Sequence, residues 1–227
     1  MRTISGWDAN GSPVTEGIGM PTDKSEWLAK RMSYVTASDV SALLGESPYK
    51  TREQLRMEKM GLADDWTGNE HTDLALAFES RTIEVANERF GWAARPNGLN
   101  IVVDPICGRL AATPDAYMDT PWGTSVVQVK WTCAAAQEDT NPTTKKGRPS
   151  TAAYVAGPPL RHQLQVQTEL ACTGLYHGVL LVLHHGQGLK LRAYYIPRHE
   201  GAIARIRRET IEFWDEIDAA KQGLSNG

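Results

Sequence analysis

Between residues 99 and 131 four short segments, LNIVVD, GRLAAT, DAYMD and SVVQVKW, follow one another with only Asp-Pro, Cys-Gly and Thr-Pro-Trp-Gly turns between them. Segments this short, rich in β-formers and bounded by turn residues, read as successive antiparallel strands. A helical segment precedes them: HTDLALAFESRTIEVANERFG is long enough for five turns and stops at Gly91. After them LRHQLQVQTELACTG reads as a helix ending near Gly174. YHGVLLVLHH and LKLRAYYI follow as a hairpin around GQG. EGAIARIRRETIEFWDEIDAA closes the chain as an amphipathic helix with Ile203, Ile206, Phe213, Trp214 and Ile217 inward. Helices, a run of mostly antiparallel strands and helices again give an α/β (α+β) fold, a central mixed or antiparallel sheet flanked by helices.

The N-terminal third is assembled from shorter pieces. Residues 1–25, rich in Gly, Pro, Ser and Thr, form an irregular arm. Thr36 with Asp39 is a capping-box pattern that starts a helix over 37–44, stopped by Gly45, and Thr51 with Gln54 repeats it for a helix ending at Gly61. At 227 residues and 41% hydrophobic, residues 26–227 fill one domain. The polar stretch at about 134–160, with Lys145, Lys146 and Arg148, reads as a mobile basic loop. A formal net charge of -3 means that any phosphate contact must come from a local patch. Cys107, Cys133 and Cys172 lack ligand or disulfide spacing, which fits a reducing cytoplasm. The N-terminus has no apolar signal core and VLLVL is far short of a span, so a soluble protein without membrane contact is expected.

Strand alternation sets Gln128 and Lys130 on one face of VVQVKW, with Val127, Val129 and Trp131 on the other. If DAYMD and VVQVK pair through the TPWG turn, Asp115 approaches Gln128 and Lys130 at the sheet end. On the preceding helix Glu79 shares a face with Leu76, Ile83, Ala86 and Phe90, while Ser80, Glu84 and Glu88 take the polar side. A carboxylate facing the core needs a proton, a cation or donors. One aspartate, a second oxygen ligand and a lysine can hold a divalent ion and orient a water beside a phosphate. The same residues also suit a solvent-exposed polar face, with Glu79 paired to Arg81 or Arg89.

Other polar and aromatic residues take structural readings. His184 and His185 point to opposite sides of a strand, and His162 and His177 lack partners at ligand spacing. Arg205, Arg207 and Arg208 read as a solvated helix face, and Trp92, Trp122 and Trp131 as packing or turn cover.

Five blocks in order carry a family resemblance: WLAKRMSYVTASDVSALLGESPYK, ALAFE with Ala75 where glycine is usual, AATPDAYM, VVQVK and QVQTELACTG. Over about residues 27–197 the chain resembles the YqaJ-like viral recombinases of lambda-exonuclease type, within the restriction-endonuclease-like PD-(D/E)xK fold. The resemblance implies a metal-dependent exonuclease of phage recombination, using Mg2+ with Mn2+ able to substitute. It would act on double-stranded DNA ends, 5′ to 3′, leaving 3′ single strands in a bacterial host cytoplasm. Carried over position by position, Asp115 is a metal ligand, Gln128 falls where a metal-binding glutamate is usual, and the Val129 carbonyl is a further ligand. Lys130 is the catalytic lysine, Glu79 the helical glutamate and Gln165 the glutamine after the long loop. Arg31, Ser38 and Thr113 would hold a 5′ phosphate, and Asp104 another acidic position. A homotrimer and a single-strand annealing partner are also implied.

Gln128 departs from that pattern. An amide can offer an oxygen to a hard cation, but without the charge. Three readings follow: a nuclease with altered metal dependence, a catalytically silent DNA-end-binding protein, or an engineered exchange of glutamate for glutamine. Retention of Asp115, Lys130 and Glu79 favours the first.

Overall fold

The computed structural model describes residues 24–63, 70–132, 157–185 and 188–225. The expected arm up to residue 23, the basic loop up to residue 156, and Cys133 lie outside them. In chain order the elements are α1 (Lys24–Arg31), β1 (Val35–Thr36), α2 (Val40–Leu43), α3 (Arg52–Lys59), α4 (Glu70–Phe90), β2 (Arg95–Pro96), β3 (Val102–Val103), β4 (Leu110–Ala112), β5 (Ala116–Thr120), β6 (Gly123–Thr132), α5 (Leu160–Thr173), β7 (His177–His184), β8 (Lys190–Pro197) and α6 (Glu200–Ser225). Among the described residues no helix is long and apolar enough to cross a membrane.

Two sheets form instead of one. The larger has the order β2-β5-β6-β7-β8, the smaller β1-β4-β3. Thr120 pairs with Gly123 around Pro121 and Trp122, so β5 and β6 make the tight hairpin expected. Both sheets are mixed, as the mixed alternative allowed. β6 runs parallel to β7, from Ser125 opposite His177 to Thr132 opposite His184, and β1 runs parallel to β4. The physical reason is the helix between β6 and β7, since a strand that returns through a crossover helix emerges in its original direction.

The larger sheet is covered on both faces. Val127, Val129, Val179 and Leu181 pack with Ile83 and Ala86 of α4, whereas Val126, Leu180 and Val182 pack with Leu164, Leu170 and Ala171 of α5 and with Ile203, Ile206, Phe213 and Ile217 of α6. Gly178 makes the second contact possible: a Cβ there would run into the Val166 side chain. Helix α5 therefore lies against β7 at close range, which fixes how its side chains meet β6.

Two local expectations are corrected. The helix expected over 37–44 begins only at Val40, because Asp39 accepts hydrogen bonds from the Thr36 N–H (3.0 Å) and hydroxyl (2.7 Å) while also pairing with Lys59 Nζ at 3.0 Å. The carboxylate thus holds a turn across 36–39. Phe90 is not inward: it is 37% exposed and lies tilted against Trp92, ring centres 4.8 Å apart, where the end of α4 passes Gly91. The capping box of α3 is complete, with both Thr51 and Gln54 bonds formed.

Candidate active site

Three of the expected groups meet where β5 opens from β6. Asp115 precedes β5, and its Oδ2 accepts the Val129 N–H at 2.6 Å and an N–H of the Gln128 amide. The same Nε2 donates to the Val129 carbonyl at 3.2 Å. Gln128 is 3% exposed, so these bonds form away from water. Lys130, two residues on, shares the Gln128 face of the strand.

Helices on opposite faces of the sheet complete the cluster. From α5, Gln165 Nε2 donates to Gln128 Oε1 at 2.6 Å and lies 3.3 Å from Glu169 Oε1. Gln165 and Glu169 are four residues apart and so share one face of the helix. Gln167 points elsewhere: its amide bonds the Pro197 carbonyl (2.8 Å) and the His199 N–H (2.8 Å), anchoring the start of α6. From α4, Glu79 is half-buried and pushed up to about 7, first by loss of water and then by the Asp115 charge, with Lys130 opposing. Asp115 is pushed up to about 6 by burial, against the pull of Lys130, the Val129 N–H and Gln128. Glu169, with no exposed surface, is raised well above the ordinary carboxylate range by burial and by Asp115. Each acid loses its water before it gains a counter-charge.

A second cluster stands beside the first. Arg31 Nη2 donates to Ser38 Oγ at 2.8 Å and to Thr36 Oγ1 at 3.2 Å, and its guanidinium lies 4.3 Å over the Trp27 ring. The Trp27 indole N–H in turn reaches Thr113 Oγ1 at 3.2 Å, so Arg31, Ser38 and Thr113 are gathered by one tryptophan. Burial alone would raise Asp39, but Lys59, Lys50, Arg31 and Thr36 outweigh it and hold it below the usual carboxylate range. A guanidinium fork beside two hydroxyls is a good seat for a phosphate. A cavity of about 270 Å³ joins the two clusters, with Ser38 and Lys50 on one wall and Lys130, Arg161, His162 and Gln165 on the other. His162, expected at the surface or in a structural role, is held neutral, its pKa lowered to about 2 by burial and by Lys130 and Arg161.

Among the described residues no three His, Cys, Asp or Glu side chains come together as a ready-made metal cluster. A divalent cation would have to be held by Asp115, the Val129 carbonyl and the Gln128 carboxamide oxygen, all hard donors that suit Mg2+. The donor chemistry fits once the carboxamide turns its oxygen inward. The orphaned buried oxygen Glu169 Oε2 is a further sign that a positive group belongs nearby.

Asp104 is not part of this centre. Its carboxylate accepts the Ile106 and Cys107 N–H groups and a bidentate pair from Arg207, so Arg207 is a half-buried ion-pair partner and not a solvated charge. The sequence reading did not single out Glu169. Its signal was present, a glutamate four residues after Gln165 in a helix whose residues 164 and 166–173 are all buried.

Comparison with known proteins agrees with the fold. The family model described as the YqaJ-like viral recombinase domain matches residues 26–176. The alkaline exonuclease LHK-Exo from Laribacter hongkongensis is similar in structure at 18% identity, with a TM-score of 0.67, covering 89% of this chain and 97% of that one. A phage-related exonuclease from Haemophilus somnus matches at 12% identity and a TM-score of 0.59, covering 83% and 96%. A putative exonuclease from Eubacterium rectale matches at 11% and 0.56, covering 91% and 88%. No curated protein sequence matches.

Proposed function

Because the chain belongs to the YqaJ-like viral recombinase family, whose fold is that of the PD-(D/E)xK phage-type exonucleases, we propose that it hydrolyses phosphodiester bonds at double-stranded DNA ends with Mg2+ or Mn2+. The direction is 5′ to 3′, and the product carries a 3′ single strand. One observation carries this reading: a single cavity is lined by Ser38, which bonds Arg31, and by Lys130 and Gln165, beside Asp115 and Gln128. A 5′ phosphate seated on Arg31, Ser38 and Thr113 would leave its strand running toward Lys130.

Asp115, the Val129 carbonyl and Gln128 would hold the cation, which would supply Lewis-acid polarisation of a phosphate oxygen and a more acidic water. In the metal-free pocket Gln165 holds the Gln128 carboxamide by its oxygen. Lys130 orients the attacking water and offsets charge growing on the phosphate. Glu79, which feels the Asp115 charge from the α4 side, can accept a proton from that water. A homotrimeric ring, an annealing partner for the 3′ strand and a host-cytoplasm location belong to the same proposal. So does the assignment of residues 26–227 to one domain.

End-labelled linear duplex with a 5′ phosphate, incubated with Mg2+ or Mn2+, tests this beside Lys130→Ala. The wild type degrades the duplex from the 5′ end and the variant falls to background. Equal rates for the two would reject cleavage at this site.

A second reading has its own observation. The Gln128 amide nitrogen already satisfies both Asp115 and the Val129 carbonyl, so the pocket closes on itself without a cation. A silent DNA-end binder would look like this. It binds 5′-phosphorylated ends in a salt-sensitive way and cuts with no metal.

A further inference from the structure

We propose that Glu169 is the second carboxylate of the divalent-cation site, delivered from helix α5 in place of the charge that Gln128 lacks. This rests on the nuclease reading and deepens it. Four observations carry the step. Glu169 has no exposed surface, and its Oε2 has no hydrogen-bond partner. A buried carboxylate in that condition is strongly disfavoured unless it is protonated or has a positive neighbour. Among the described residues no lysine or arginine forms an ion pair with it, Lys130 acting on it only at longer range, and its Oε1 has only Gln165 Nε2 at 3.3 Å.

Direction is given by the same glutamine. Gln165 Nε2 bridges Glu169 Oε1 and Gln128 Oε1, so the Glu169 carboxylate stands one amide away from the group whose charge is missing. Charge bookkeeping agrees: Asp115, an amide and a main-chain carbonyl present one negative charge to a divalent ion, whereas sites of this kind are tuned by the number of charged ligands. Glu169 raises that to two without any change on β6. The close seat of α5 on Gly178 holds the helix near enough for the reach.

Mn2+ binding, measured by isothermal titration and by loss of the free-ion electron-spin signal, tests the assignment independently of cleavage. The variants are Asp115→Asn, Glu169→Gln and the double exchange Gln128→Glu with Glu169→Gln. Wild type binds, Asp115→Asn loses binding, and Glu169→Gln weakens it by about ten- to hundredfold. The double exchange, which moves the carboxylate back to β6, restores affinity to near the wild-type value. Should Glu169→Gln fold poorly by thermal melting, Glu169→Met keeps volume without charge and is read the same way. Wild-type affinity in Glu169→Gln alongside loss in Asp115→Asn overturns the role of Glu169 and leaves the nuclease reading standing. Wild-type protein that neither binds Mn2+ nor cleaves overturns both.

Discussion

Gln128 makes three hydrogen bonds, two of which a glutamate could not make. Its nitrogen donates to Asp115 and to the Val129 carbonyl, and its oxygen accepts from Gln165. The amide therefore does part of what a cation would do, neutralising the lone pairs of two would-be ligands. Gln128→Glu removes the donor and sets a second negative charge against Asp115. With chelator present the variant should lose about 1–3 kcal/mol of stability, the usual result of unpairing a buried acceptor. With Mn2+ added the order reverses, and its metal-induced rise in melting temperature should exceed that of the wild type. Scanning fluorimetry of both proteins in chelator and in Mn2+ decides the matter, and identical responses would mean that residue 128 does not face the cation. The convergence of Asp115, Gln128 and Lys130 was legible in the sequence because strand alternation and a two-residue turn leave little freedom. Glu169 was not legible, because a glutamate in a helix ordinarily marks the wet face. Only the burial of every neighbour from Val166 to Thr173 reveals that α5 has no such face there.

Helix α5 shows what can and cannot be read at the level of elements. Its extent, its stop at Gly174 in the left-handed conformation and the hairpin that follows it were all expected. Period-two patterning, however, says nothing about strand direction, so a mixed and an antiparallel sheet stayed open until the intervening helix placed β6 and β7 parallel. Nor could the pattern show which residue sets the depth of the helix. Gly178 on β7 does so, since any side chain there meets Val166. Gly178→Ala should destabilise the fold by about 1–3 kcal/mol, the range for overpacking a filled core. By lifting α5 off the sheet it should also loosen the Gln165–Gln128 bond and lower Mn2+ affinity. Chemical denaturation and Mn2+ titration of the purified variant check both effects. A variant with unchanged stability would show that α5 yields at no penalty and does not fix the site.

Across the whole molecule, two carboxyls feel the charge of Asp115, at the entry to β5, from opposite sides of the sheet: Glu79 from α4 and Glu169 from α5. All three are raised, Glu79 to about 7 and Asp115 to about 6, because the fold takes their water away first. A carboxyl raised on folding binds its proton more tightly in the native state, so the metal-free protein loses stability as pH rises from the unfolded value through the folded one. For Glu79 that window runs from 4.5 to about 7, and for Asp115 from 3.8 to about 6; Glu169 begins at 4.5 and continues higher. His162 works the other way. Its folded pKa of about 2 lies below the ordinary imidazole value of 6.5, so acidification through 6.5 favours the unfolded chain. The lowered Asp39 adds its own loss only in stronger acid, below 3.8. Between about pH 8 and the histidine value of 6.5, Glu79 and Glu169, both raised above 4.5, favour the fold as pH falls. In chelator the melting temperature should rise as pH is lowered across that interval, then level as His162 begins to oppose it. Mg2+ binds the ionised carboxylates, so it should stabilise more at the alkaline end and flatten the slope. Scanning calorimetry of the wild type and of Glu79→Gln with Glu169→Gln checks the sign: the double variant should show little pH dependence in this interval. A wild-type melting temperature that falls on acidification from pH 8 would mean that these acids are already ionised in the metal-free fold.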